Sequence, residues 1–254
     1  MSIQKPSILI TNDDGVHAQG IKTLYNALEK IADVTVVAPL KQQSGKGASM
    51  SLHSSLTLHE LFWNYPSEPK KVWAVEGTPA DCVKIGLDVV LQQKPDFVIS
   101  GINHSSNAGR NILYSGTIGA IIESVMQEVP GIAFSSLVCT TENFNKMEDL
   151  IRQIVSFLSE KHCEGTLFNV NFPIQFSESF ANFKFASQGK AFTFQKPKKI
   201  TDNDYILSEM EMEYPDEKED SDIRLLRDNY VTCVPINVFD FTNYRKLREL
   251  KANT

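Results

Sequence analysis

The sequence predicts an α/β protein, with a mostly parallel sheet covered by helices on both faces and a smaller C-terminal β/α extension. Short apolar runs alternate with segments of helical periodicity through the first two-thirds of the chain. The runs are nearly continuous in apolar character, as strands buried on both faces are. After Pro173 the character changes to an aromatic, basic, strand-like stretch and then to a dense acidic one. The expected division is therefore a core over residues 1–175 and an extension over residues 176–254. The extension should hold a strand hairpin and a terminal helix, packed on the core or on another subunit.

In chain order, SILIT (7–11) is the first strand, and GIKTLYNALEKIA follows with Ile21, Leu24, Tyr25, Leu28 and Ile31 at helical spacing. VTVVAP is a β-branched run stopped by proline, and KVWAVEG is another strand. TPADCVKIGLDVVL opens a helix, with Thr78 as N-cap, Pro79 at the first helical position and Asp81 as the reciprocal capping partner. PDFVISG is a strand, GTIGAIIESVMQ a helix and PGIAFSSLV a strand. NKMEDLIRQIVSFLSEK places Met147, Leu150, Ile151, Ile154, Val155 and Leu158 on one face, and LFNVNFP closes the series as a strand. In the extension, FKFASQGKAFTFQKPKKI and NYVTCVPINVF are strand-like, EMEMEYPDEKEDSD is a solvated acidic stretch, and FTNYRKLRELKANT is a helix.

A chain of 254 residues, 42% of them hydrophobic, can bury one large core. Its net charge of −6 repels polyanions, which excludes nucleic-acid polymers and acidic membrane surfaces as first partners. A small phosphorylated substrate stays open, because a cation can reverse the field in one cleft. Cys82, Cys139, Cys163 and Cys233 are scattered without a CxxC pair, which argues against structural zinc and a disulfide framework. With no secretory leader in MSIQKPSILIT and no run of ~20 apolar residues, a cytoplasmic location is expected.

The first strand ends in two adjacent carboxylates, Asp13 and Asp14, followed by Gly15. Consecutive strand residues face opposite ways, so both can reach one site only if the backbone turns there, as Gly15 and Asn12 allow. Paired carboxylates repel, and a divalent ion with a preference for oxygen resolves the conflict. The pair is equally compatible with a polar loop in which one aspartate caps the next helix. PLKQQSGKGASMS (39–51), rich in Gly and Ser with Lys41 and Lys46, suits phosphate contact but is not a Walker A loop.

SGINHSSNAGRNILYSGTIGA (100–120) holds a long polar loop between a strand and a helix, and such loops tend to be functional. Asn103 and Asn107 supply neutral oxygen or amide groups. Ser115, Gly116 and Thr117 lead into a helix N-terminus, where free amides favour a phosphate, or where Ser115 or Thr117 simply caps the helix. In open α/β sheets the crevice lies beyond the carboxyl ends of the strands, so these three loops are expected on one rim.

Together the stretches ITNDDGVHAQGI, VVAP…QSGKGASMSL, VEGTPADCVKIGL, PDFVISGIN, LYSGTIGAIIE, P.IAFS and NVNFP resemble the SurE family of nucleotidases, in order, over roughly residues 7–173. The resemblance implies a Rossmann-like core and a phosphomonoesterase acting on nucleoside 5'-monophosphates. It further implies one divalent metal per subunit, Mg²⁺ or Mn²⁺, and a homodimer or homotetramer that exchanges C-terminal elements. Some relatives also act on 3'-nucleotides or short polyphosphate. Carried onto this chain, the metal ligands fall on Asp13, Asp14, Ser44 and Asn103, and the phosphate contacts on Asn107, Ser115, Gly116 and Thr117. Catalysis would rest on Asp13 and Asp14. Ser105 stands where the family's commoner pattern has glycine. Two rivals follow from the same residues. A covalent aspartyl phosphatase would need DxDx[TV], which the adjacent carboxylates do not match. A nucleotide-binding regulator would use the same rim without turnover.

Overall fold

The computed structural model describes residues 5–65, 68–161, 164–213 and 216–252. In chain order the core elements are β1 (Ser7–Thr11), α1 (Gln19–Leu28), β2 (Asp33–Pro39), β3 (Leu58–Trp63), β4 (Lys70–Val75) and α2 (Pro79–Ile85). They continue with β5 (Phe97–Asn103), α3 (Gly116–Met126), β6 (Gly131–Ser136), α4 (Thr141–Ser159) and β7 (Thr166–Phe172). The extension supplies β8 (Phe183–Phe185), β9 (Phe192–Lys199), β10 (Tyr205–Glu213), α5 (Asp222–Arg227), β11 (Val231–Asn237) and α6 (Tyr244–Lys251).

One nine-stranded sheet runs in the order β3-β4-β2-β1-β5-β6-β7-β11-β8, and β9 pairs with β10 in a separate hairpin. The six strands from β4 to β7 are mutually parallel. At the edges β3 is antiparallel to β4, and β11 is antiparallel to β7. This is the α/β class expected from the alternation of apolar runs and amphipathic helices.

Burial on both faces explains the sequence of β1. Ile8 and Ile10 face the apolar layer formed with α1 and α4, whereas Leu9 between them faces the layer formed with α2 and α3. All six residues of the α4 stripe are buried as its periodicity requires, each adding on the order of 2 kcal/mol of hydrophobic stabilisation. The capping box at Thr78 and Asp81 is formed in full with Pro79 behind it, and the helix continues past Ile85 as one wide turn.

One stretch forms an element for which the sequence carried no expectation, and another differs from its expectation. LHELFW forms β3, although its alternation is broken by Glu60 and the exposed Phe62; pairing with β4 and burial of Trp63 against Tyr25 hold it in place. The acidic stretch is not loop throughout, since its first part forms β10 and its last residue, Asp222, is fully buried. His162 and Cys163 lie outside the described residues. Cys82 and Cys233 are free, buried thiols, and Cys139 is half-buried.

Candidate active site

The chain leaves β1 toward β2 on one side of the sheet and β5 toward β6 on the other, so the carboxyl ends of β1 and β5 flank a switch point. The segment after β1 turns at once. Gly15 adopts a φ of +99° and its amide donates to Asn12 Oδ1, while Asn12 Nδ2 donates to the Gly15 carbonyl. That loop holds both carboxylates on the rim.

Asp13 is only 4% exposed and accepts a 2.6 Å hydrogen bond from the Thr117 hydroxyl. Burial pushes its pKa up to about 6; the Thr117 bonds pull the other way, and the neighbouring Asp14 charge adds to the rise. Asp14 is likewise raised by burial, against the attraction of His104, and accepts from the His104 backbone amide at 3.3 Å. Neither carboxylate is ion-paired among the described residues.

The loop after β2 docks on this pair. The Gln43 amide donates to the Asp13 carbonyl at 2.7 Å, and Gln42 Nε2 donates to Ser44 Oγ at 2.9 Å. Farther along, a side chain at Gly119 would reach within 2.2 Å of the Gly47 carbonyl, so the loop lies directly against α3. The Thr78 hydroxyl donates to the Ser49 carbonyl and the Ser51 amide donates to Asp81 Oδ1, so the cap of α2 also anchors the loop. Beside it lies a cavity of about 460 Å³ lined by Lys41, Gln43, Lys46, Ser51 and Glu76 among others.

From β5, Asn103 donates through Nδ2 to both the carbonyl and the hydroxyl of Ser105, which leaves its Oδ1 as the lone-pair donor. Asp13, Asp14, Ser44 and Asn103 carry hard oxygen donors, anionic and neutral, whose chemistry would suit Mg²⁺ or Mn²⁺ rather than a soft metal. Two crowded carboxylates with a raised Asp13 pKa are what a divalent charge would relieve. The residues fit such an ion. Among the described residues no three His, Cys, Asp or Glu side chains cluster as a metal site, here or elsewhere, so an ion at Asp13 and Asp14 would need the neutral oxygens of Ser44 and Asn103 as well.

At the start of α3, Ser115 Oγ caps the helix by accepting from the Ile118 amide, and its carbonyl accepts from Gly119. The Ser115 O–H stays available as a donor. Gly116 lies so close to Asp13 that a Cβ there would sit 2.9 Å from Asp13 Cβ. Thr117, expected at a phosphate, has its hydroxyl engaged by Asp13. Asn107 is buried, with Nδ2 donating to Ser135 Oγ at 2.7 Å and its backbone held on both sides by Asn171 Oδ1 and Asn169 Nδ2. The sequence pattern does not single out Asn169, Asn171, Ser135 or Gln42. A signal existed in β7: NVN sets two amides on one face of an otherwise apolar strand, where two unpartnered polar groups would be costly.

Fold and site define a protein of the α/β class with two adjacent, largely buried carboxylates at the switch point of its sheet. The sequence matches the family described as survival protein SurE over residues 8–195, and the chain belongs to that family. It is 42% identical over 252 residues to the 5'-nucleotidase SurE of Protochlamydia amoebophila, covering 97% of this chain and 96% of that protein. The 5'-nucleotidase SurE 1 of Chlamydia caviae is 40% identical, over 91% of this chain and 85% of its own length. A crystal structure of the SurE protein from Aquifex aeolicus matches with a TM-score of 0.79 at 31% identity, covering 97% of this chain and 99% of that one.

Proposed function

We propose that the protein is a divalent-metal-dependent phosphomonoesterase that hydrolyses nucleoside 5'-monophosphates to nucleoside and phosphate, with one Mg²⁺ or Mn²⁺ per subunit. The observation that carries this reading is the buried Asp13, pressed against Asp14 and the first turn of α3 and not ion-paired among the described residues. The relatives named 5'-nucleotidase, similar over nearly the whole chain, support the substrate class. Asp13, Asp14, Ser44 and Asn103 are the residues that would hold the metal. Bound there, it would offset charge on the phosphoryl oxygens and acidify a water.

The remaining steps belong to the chain. One oxygen of Asp13 is fixed by Thr117, so that carboxylate is oriented before substrate arrives. Asp13 or Asp14 accepts the proton of the attacking water. The second N–H of the Asn107 amide, the Ser115 hydroxyl and the Gly116 amide hold the phosphoryl oxygens as charge develops on them, where the α3 dipole favours anions. Exposed apolar residues of the extension favour a homodimer or homotetramer.

Phosphate release from adenosine and guanosine 5'-monophosphates with Mn²⁺, abolished by EDTA, is the expected result. A panel including 3'-nucleotides and short polyphosphate sets the range. Asp13→Asn and Asp14→Asn should each remove turnover and leave the circular dichroism unchanged; full activity in both would refute the scheme. Nucleotide binding without phosphate release would instead mark a regulator.

A further inference from the structure

We propose that Asp222, a fully buried carboxylate of the extension, is a positioning residue of the active site: it fixes the bend at Gly109 and so the reach of the loop that brings Asn107 and Ser115 to the substrate's phosphate. The proposal rests on the function proposed above for that loop.

Asp222 has no exposed surface. Among the described residues it is not ion-paired; its oxygens are met by backbone amides. Oδ2 accepts from the Gly109 amide at 2.9 Å, and Oδ1 accepts from the Gly189 amide at 2.8 Å and the Ile223 amide at 2.7 Å. Burying a carboxylate is costly, and three amide donors compensate for it. Two of the three lie far from it in sequence, one in the site loop and one in the connection between β8 and β9, so a single side chain joins three segments.

The two distant partners are glycines for a steric reason. Gly109 has a φ of +60°, and a Cβ there would lie 2.3 Å from the Ala191 carbonyl. At Gly189 a Cβ would lie 2.8 Å from Asp222 Oδ1. Further bonds follow the same seam. Gln188 Nε2 donates to the Gly109 carbonyl at 2.9 Å, the Arg110 amide donates to the Ala191 carbonyl at 2.9 Å, and the Thr193 amide donates to Asn111 Oδ1 at 2.7 Å. The loop between β5 and α3 is therefore shaped from outside the core. Asn107 lies two residues before the bend, and Ser115 ends the 3₁₀ segment Gly109–Tyr114 that begins at it.

Only an acceptor with two oxygens satisfies amides on both sides. Asp222→Asn keeps the size of the side chain and sets an NH₂ against one of the amides, a donor facing a donor. The test compares Asp222→Asn with Ser221→Ala, which removes the cap of α5 from the Arg224 amide and leaves Gly109 alone. All proteins are assayed with Mn²⁺ at a temperature where circular dichroism shows them folded. For Asp222→Asn, kcat/KM on adenosine 5'-monophosphate should fall roughly tenfold or more, as displaced positioning groups cost. The inhibition constant of inorganic phosphate should rise alongside. Backbone amides of residues 104–115 should exchange hydrogen faster. Ser221→Ala, at an equal or larger loss of Tm, should keep all three readouts near those of the unaltered protein. Unchanged kinetics, phosphate inhibition and exchange in Asp222→Asn, or equal losses in Ser221→Ala, would overturn the proposal. If Asp222→Asn does not fold, Gln188→Ala takes its place: the same three losses support the proposal, and three unchanged readouts overturn it. An unaltered protein that releases no phosphate would count against the proposed function, whereas the exchange of residues 104–115 judges the restraint by itself.

Discussion

Asp13 carries, without metal, a charge that its surroundings do little to offset, because burial strips water from it and Asp14 stands beside it. Its folded pKa of about 6 lies above the ordinary 3.8. The sign follows: between those two values the unfolded chain releases a proton that the fold retains, so stability present at low pH is lost as pH rises through this window. Two pKa units correspond to about 3 kcal/mol at pH 7. Asp13→Asn removes the charge and keeps an oxygen for Thr117. In EDTA at pH 7 the variant should therefore be more stable than the unaltered protein by about 1–3 kcal/mol, with the gap closing toward pH 4. Excess Mn²⁺ should reverse the order, since the carboxylate form gains more from binding than the amide. Urea denaturation at the two pH values decides it; a gap that does not depend on pH would mean that the Asp13 charge is already compensated. Asp13 and Asp14 stand out in the sequence as candidates because two adjacent carboxylates directly after an apolar strand are unusual. Asp222 could not, because one buried aspartate at the end of an acidic run looks like its solvated neighbours until the fold places three amides around it.

Helix α3 shows how an element can be tuned to the site against its own propensity. Alanine stabilises a helix relative to glycine, by up to about 1 kcal/mol in the interior. At Gly116 that preference meets a wall: the added Cβ would lie 2.9 Å from Asp13 Cβ and 3.2 Å from both Asp13 Oδ2 and Pro79 Cγ. Gly116→Ala should therefore leave Tm within a few degrees and push Asp13 off its position, with a loss of about a hundredfold in kcat/KM. Steady-state kinetics beside a melting curve separate the two effects, and a variant with normal kcat/KM would show that Asp13 tolerates the displacement. The elements legible in the sequence were those with long, consistent patterns, such as the α4 stripe, the parallel strands and the Thr78–Pro79–Asp81 start of α2. β3 was not legible, because an edge strand buries little and its pattern is set by its partner. α5 was hidden for a different reason: six residues give too little periodicity to stand out from the acidic run before it.

At the scale of the whole molecule, the extension has two jobs that pull apart. Through β11 it covers the edge of β7, with Val231 and Cys233 in the core, and through Asp222 it reaches the site loop. The rest of it leaves apolar surface in water. Phe241 is 86% exposed, and Tyr244, Leu247 and Leu250 of α6 are also exposed, with no residue of that helix buried. In the hairpin, Ile200 and Leu207 are exposed as well. Isolated apolar residues at a surface need no explanation, but a terminal helix with no buried face has little to hold it. Its basic residues, Arg245, Lys246, Arg248 and Lys251, would also suit an otherwise acidic molecule of net charge −6. A second copy of the chain satisfies both conditions. Sedimentation should therefore give about two or four times the chain mass of 28.5 kDa. Replacing Phe241 and Leu250 together by Asp should shift the mass toward a single chain. The double variant leaves the core untouched, so its β-sheet signal should persist. An unaltered protein that sediments as one chain at micromolar concentration would show that α6 is held without a partner, and the apolar surface of the extension would then need another explanation.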